Sequence, residues 1–147
     1  MTTPTLDPTR RDAYRHWARD LLRYGDTDRQ GHVNNAVFPT FLETGRCAML
    51  FDPTCPPRPE NLSFVLARIV LDYRAEVHWP NTVEIGTAVL RIGNSSLAFV
   101  QGVFVGEECV ASGETVVVLT DQTTRRSRPF PDDMRAWFMQ WKHPDAP

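Results

Sequence analysis

Cysteine is scarce in this chain. Cys47, Cys55 and Cys109 are its three, an odd count with no short metal-type spacing. That argues against a disulfide framework and makes reduced thiols in a cytosol the simpler expectation. Long apolar runs are missing too. The opening stretch MTTPTLDPTRRDAYRHW has no apolar core of the kind a signal peptide needs, and no run approaches a membrane span, so a cytoplasmic protein without a membrane partner is expected. An excess of one charge is also absent: 16 basic against 18 acidic residues give a net charge of −2. No protein-wide basic field favours nucleic acid as a partner, and a phosphate-bearing ligand would need a local basic patch. There is no glycine-rich phosphate loop, internal repeat or low-complexity segment.

What remains has the profile of one compact domain. A chain of 147 residues that is 41% hydrophobic can bury a real core but is too short for two typical domains. Residues 1–12, with two prolines, read as a mobile lead-in. Imperfect alternation around Trp17 and Leu21 predicts a first strand from about His16 to Tyr24. A polar loop follows, and then Val37, Phe38, Phe41, Leu42, Gly45, Ala48 and Met49 recur at helical spacing. Asn34 or Asn35 suits the N-cap, and Pro39 is tolerated only in a first turn, so the helix should start near Asn35. Gly45 on the apolar face suggests a close approach to another backbone, while Glu43 and Arg46 read as an exposed pair on the opposite side.

Four prolines between Asp52 and Ser63 make that stretch a loop. Four strand-like runs succeed it. Val65, Ala67, Ile69, Leu71, Tyr73, Ala75 and Val77 alternate as one long strand with a wet or interfacial face. Runs over 83–92, 96–105 and 109–119 follow, and their short turns imply antiparallel neighbours. After a basic linker, Pro131 at the first helical position opens a short terminal helix with a Met134, Trp137, Phe138 and Trp141 stripe. The predicted fold class is therefore α+β. One helix can cover one face of such a sheet, so its edges need covering or pairing, and self-association is the natural solution.

The polar loop concentrates the chemistry. Asp26, Asp28, Gly31, His32, Asn34 and Asn35 stand immediately before the long helix. A loop carboxylate beside a helix start joins a base to free backbone N–H groups, the combination that ester-type hydrolysis needs.

The stretch Tyr24-Gly-Asp26-Thr-Asp28-Arg-Gln-Gly31-His32-Val-Asn34-Asn35-Ala-Val-Phe38, followed by Phe41-Leu-Glu43-Thr-Gly-Arg46, resembles the hot-dog-fold thioesterases of the 4-hydroxybenzoyl-CoA thioesterase type. The resemblance implies a long central helix wrapped by a curved antiparallel sheet of five strands. It implies an acyl-CoA substrate, water as acceptor, and no metal or redox cofactor. On its residues, the second acid of the D-x-D pair, Asp28, is the catalytic carboxylate, and the backbone N–H of Asn35 is the oxyanion donor. The site would form at a dimer interface, with further pairing into tetramers. The paired Asn34 and Asn35, with His32, make the pocket mouth more polar than aryl-CoA relatives have it, so aryl specificity is not carried over.

Each residue also has a plainer explanation. Asp28 suits an Asx turn, and the surrounding motif is what favours catalysis, either as nucleophile or as base for water. Asp26 would share a strand face with Asp28, where paired carboxylates raise one pKa, though a structural role holding the loop is preferred. His32 is a supporting or substrate-positioning residue ahead of a general acid, and a metal held by Asp26, Asp28 and His32 lacks an evident fourth ligand. Gly31 and Asn34 belong to the substrate-binding loop, Asn34 equally as a cap. Glu43 is second choice for the base. Arg125, Arg126 and Arg128 could hold nucleotide phosphates or form a solvated linker, with Arg68, Arg74 and Arg91 as further candidates. Two rival functions are a non-catalytic acyl-CoA or acyl-carrier binding module and an enoyl-CoA hydratase or dehydratase. The latter's relatives carry Asp and His five apart with Asn-Pro between them, unlike Asp28 and His32.

Overall fold

The computed structural model describes residues 6–147. Strand β1 (His16–Leu21) leads through the polar loop into helix α1 (Phe38–Leu50). Strands β2 (Leu62–Tyr73), β3 (Thr82–Ile92), β4 (Ser96–Val105) and β5 (Glu108–Asp121) follow, then helix α2 (Asp132–Met139). The five strands form one antiparallel sheet in the order β1-β3-β4-β5-β2. With α1 lying across one face, this is the helix-in-sheet arrangement of the hot-dog fold.

Contacts of α1 show how the sheet is laid around it. Thr44 hydrogen-bonds Asp20 of β1 at 3.4 Å. Gly45 lies against β3 and β4, and a Cβ there would stand 2.9 Å from Thr87 Oγ1 and 2.8 Å from Gln101 Nε2, with Ile85 closer still. Leu42 fills the space above Gly113 of β5. The mid-helix glycine does permit a close approach on the apolar face, but to the side chains of Ile85, Thr87 and Gln101 rather than to another backbone, and its roughly 1 kcal/mol helix cost admits them. Gln101 Nε2 donates to the Leu42 carbonyl at 2.8 Å and to Thr87 Oγ1 at 3.0 Å, satisfying a buried polar group beneath the helix. Phe38, Phe41, Leu42, Val83, Ile85, Val103 and Ala111 form the core at the loop end of α1. Met49, Leu50, Val89, Leu97, Phe99, Leu119, Met134 and Phe138 form it at the other end. The terminal helix stripe therefore packs on its own domain, with Met134 and Phe138 fully buried.

Several expectations need correcting. β1 stops at Leu21, opposite Thr82, because β3 offers no residue beyond it, and Tyr24–Asp26 coils into a 3-10 turn instead. β2 is displaced toward the N-terminus. Its ladder with β5 begins at Leu62 opposite Asp121 and ends at Tyr73 opposite Ala111, where Arg74 and Ala75 both donate to Val110 and end the pairing. A register shift between Leu66 and Arg68 also breaks the strict alternation, so Phe64 and Leu66 share the helix-facing side with Ile69, Leu71 and Tyr73, while Val65 faces outward. Arg46 is buried beside Leu42, with the exposed Glu43 only at 4.0 Å, so the two are not the solvent-exposed pair expected. Burial makes the Arg46 guanidinium release its proton more readily than usual. Pro131 is the N-cap of α2, one position earlier than expected.

Residues 6–12 do not trail free of the fold; residues 1–5 lie outside the described residues. The Tyr14 hydroxyl donates to the Pro8 carbonyl at 2.7 Å, and Arg11 pairs with Glu84 at 2.9 Å. Leu6, Tyr14 and Trp17 pack with Ala88, Val100 and Phe104 on the sheet face away from α1. The three cysteines are free thiols. Among the described residues no helix is long and apolar enough to cross a membrane.

Candidate active site

The polar loop is shaped first by Asp26. Its Oδ2 accepts from the Arg23 N–H at 2.9 Å, and its Oδ1 accepts from the Arg23 guanidinium at 2.9 and 3.2 Å. Burial alone would raise this carboxyl; the Arg23 backbone and guanidinium outweigh it and hold the group below its ordinary 3.8. The Asp26 carbonyl also accepts from the Asn34 N–H at 2.8 Å, closing the base of the loop. Asp26 is thereby committed to structure. It sits in a 3-10 turn, so the shared strand face with Asp28 does not form.

Asp28 stands at the tip. Its Oδ1 accepts from the Gln30 N–H at 2.9 Å, its carbonyl from Gly31 at 3.0 Å, and its N–H donates to the His32 carbonyl at 3.0 Å. Gly31 turns the chain at φ 85°, a left-handed conformation that a side chain would strain. Asp28 Oδ2, free of that Asx turn, lies 3.8 Å from His32 Nδ1. A carbonyl can only accept, so His32 Nδ1, 3.2 Å from the Val33 oxygen, carries a proton directed there.

Asn34 caps the helix, with its Oδ1 accepting from Ala36 at 2.9 Å and its carbonyl from Val37 at 2.9 Å. The cap engages Ala36 and skips Asn35. Among the described residues no acceptor is seen for the Asn35 N–H, which opens a 3-10 turn over Asn35–Val37 running directly into α1. A free N–H at a helix start is the donor that an oxyanion requires.

Beside this turn lies a cavity of about 380 Å³, lined by His32, Asn35, Phe38, Tyr73, Arg74 and Val77 among others. Asp28 does not itself line it, but its neighbour in the loop, His32, does. Sequence reasoning had Tyr73 only as a strand residue and did not consider His78 at all. Yet the Tyr73 hydroxyl donates to the Asn35 carbonyl at 2.8 Å, and His78 Nδ1 donates to the Gly31 carbonyl at 2.9 Å. No local pattern could have signalled contacts spanning 38 and 47 positions.

Other candidates lie elsewhere. Arg125, Arg126 and Arg128 are exposed just beyond β5, where Thr120 bridges Ser127, at the Leu62 end of β2. The site is at the Tyr73 end, eleven strand steps away, which at about 3.3 Å each is roughly 36 Å measured along β2. Within one chain the trio does not reach the loop. Glu43 is exposed and does not line the cavity. Among the described residues no group of three or more His, Cys, Asp or Glu side chains is placed to hold a metal ion.

Comparison with known proteins gives the site its context. The chain is 28% identical over 121 residues to the acyl-CoA thioester hydrolase YbgC of Escherichia coli, covering 80% of this chain and 90% of that one. A Pseudomonas aeruginosa crystal structure superposes with a TM-score of 0.83 at 26% identity, over 93% of this chain and 97% of that one. A Thermus thermophilus thioesterase solved with coenzyme A and Zn superposes with a TM-score of 0.77 at 27% identity, over 89% and 96%. The family profile described as the thioesterase-like superfamily matches residues 22–138, from just before the polar loop to Phe138 of the terminal stripe. The chain belongs to the thioesterase-like superfamily and is a thioesterase on the hot-dog fold.

Proposed function

We propose that this chain hydrolyses the thioester of an acyl-CoA to the free acid and CoA. The observation that carries the proposal is the unengaged Asn35 N–H at the start of α1, next to the loop that bears Asp28. The substrate class follows from the relatives, one described as an acyl-CoA thioester hydrolase and another solved with coenzyme A.

In this reading the thioester carbonyl oxygen lies on the Asn35 N–H, which stabilises the charge that develops on it. The Asp28 carboxylate attacks the carbonyl carbon, giving a mixed anhydride that water cleaves, or removes a proton from the attacking water. On either route the C–S bond breaks, CoA leaves as its thiolate and takes up a proton, and Asp28 is restored. His32 positions Asp28, while Gly31 and Asn34 hold the loop that receives the substrate.

The exposed edge of β2 supports a second part of the reading, self-association. Val65 is 49% exposed, Leu66 45%, Ile69 37% and Val70 40%, on a strand whose outer hydrogen-bonding groups have no partner strand among the described residues. Antiparallel pairing of β2 with its copy about a two-fold axis would lay the Leu62 end of one chain beside the Tyr73 end of the other. The arginine trio of a second copy would then approach this chain's cavity and offer charge to the CoA phosphates.

Purified protein, a panel of acyl-CoAs and a thiol reagent test the activity. The expected outcome is CoA release that Asp28→Asn abolishes. Tight acyl-CoA binding without release would instead make the chain a binding module.

A further inference from the structure

We infer that Tyr73 is a positioning residue for the hydrolysis proposed above: its hydroxyl, bonded to the Asn35 carbonyl, fixes the peptide that directly follows the N–H receiving the oxyanion. The inference rests on that functional reading but is carried by a separate set of contacts.

The argument begins with Pro39. In a helix the Asn35 carbonyl would accept from the N–H four residues on, and that residue is Pro39, which has none. The 3-10 turn over Asn35–Val37 turns that carbonyl toward the N–H three residues on instead, a bond of poorer geometry. Tyr73 adds a donor from outside the helix, its O–H reaching the Asn35 oxygen at 2.8 Å.

Position follows from this bond. Asn35 lies between two peptide planes. The plane before it is held by the Val37 N–H on the Asn34 carbonyl at 2.9 Å. The plane after it is held by Tyr73 at the carbonyl and by the Asn34 side chain at the Ala36 N–H, also at 2.9 Å. With both planes fixed, the φ and ψ of Asn35 are fixed, and so is the direction of its own free N–H. An oxyanion donor acts through such preorganised direction.

Tyr73 is itself well supported for the task. It is the last residue of β2, and its ring meets Phe38 edge-on at 5.3 Å, which in turn meets Phe41 at 5.4 Å. The segment it begins grips the loop at alternate residues: Tyr73 at Asn35, Val77 at Val33 through a 2.7 Å bond, and His78 at Gly31. Tyr73 thus connects the exposed edge strand to the first turn of the central helix.

Tyr73→Phe removes the hydroxyl and leaves the ring on Phe38, so folding is preserved. Steady-state hydrolysis should show kcat lowered about tenfold, the worth of one net hydrogen bond, with KM within about twofold. The backbone order parameter at the assigned Asn35 amide should fall in the same variant. Unchanged kcat, or a raised KM with kcat retained, overturns the inference. Should the wild-type protein hydrolyse no acyl-CoA, the functional reading fails, and Tyr73 is then judged on the order parameter alone: an unaltered Asn35 value in Tyr73→Phe overturns it, and a fall sustains it.

Discussion

Over β3 and β4 the chain covers both faces of its sheet with its own residues, α1 on one side and the segment from Leu6 to Trp17 on the other. At β2 the cover is partial: Leu62, Phe64 and Leu71 pack on the core, while Val65, Leu66, Ile69 and Val70 stay exposed. That strand ends the sheet with apolar side chains in solvent, and the candidate site opens beside its Tyr73 end. The closed half holds Ile85, Val89, Phe99 and Val103 at zero exposure and supplies stability. The open half keeps backbone groups and apolar surface available to other molecules, which is where recognition and chemistry require them.

Three substitutions sharpen this contrast beyond the loss of CoA release expected in Asp28→Asn. The largest effect on stability belongs to the closed half. Gly45→Val would drive methyl groups into Ile85, Thr87 and Gln101, and overpacking of this kind costs about 3 kcal/mol. Chemical denaturation should show a matching fall in midpoint; an unchanged midpoint would mean that α1 can lift from the sheet without penalty. On the open half the same scale of change should act on assembly instead. Ile69→Lys is expected to weaken self-association by about 2 kcal/mol, the worth of burying one such side chain, while the isolated fold melts as before. Sedimentation at several concentrations measures the first quantity, and circular dichroism the second.

The smallest effect lies in the loop between the halves. Asp26→Asn should lower stability by about 1–2 kcal/mol near neutral pH through loss of its charged bonds to Arg23. Because the Asp26 carboxyl is held below its ordinary 3.8, its contribution is present above that value and is lost as pH falls through the folded-state value. Denaturation midpoints at about pH 6 and about pH 3 should therefore differ more in the wild type than in Asp26→Asn. Equal differences in the two proteins would show that Asp26 has no such linkage.

Local pattern made much of this architecture legible. The spacing from Phe38 to Met49 announced the helix, Pro39 limited where it could start, and Gly45 marked the contact with the sheet. The strands over 83–92 and 96–105 were readable from their turns. The misread boundaries were those set by a partner strand: β1 ends where β3 runs out, and β2 begins where β5 still offers Asp121. The bulge at Ala67 was likewise invisible, because it exists only in the pairing of Leu66 and Arg68 with Val117 and Val116. Arg46 looked exposed on a helical wheel, whereas its burial depends on what lies beyond Leu42.

In the loop the sequence alone determined the chemistry available, since carboxylates, a histidine, a left-handed glycine and a capping asparagine are local requirements met by neighbouring residues. Tertiary structure decided how those groups are used. It assigned Asp26 to Arg23, left the Asn35 N–H without an acceptor, and brought Tyr73 and His78 onto the loop from across the sheet. Such contacts join residues dozens of positions apart, and their geometry arises only when the sheet has curled around the helix and fixed both ends of each bond.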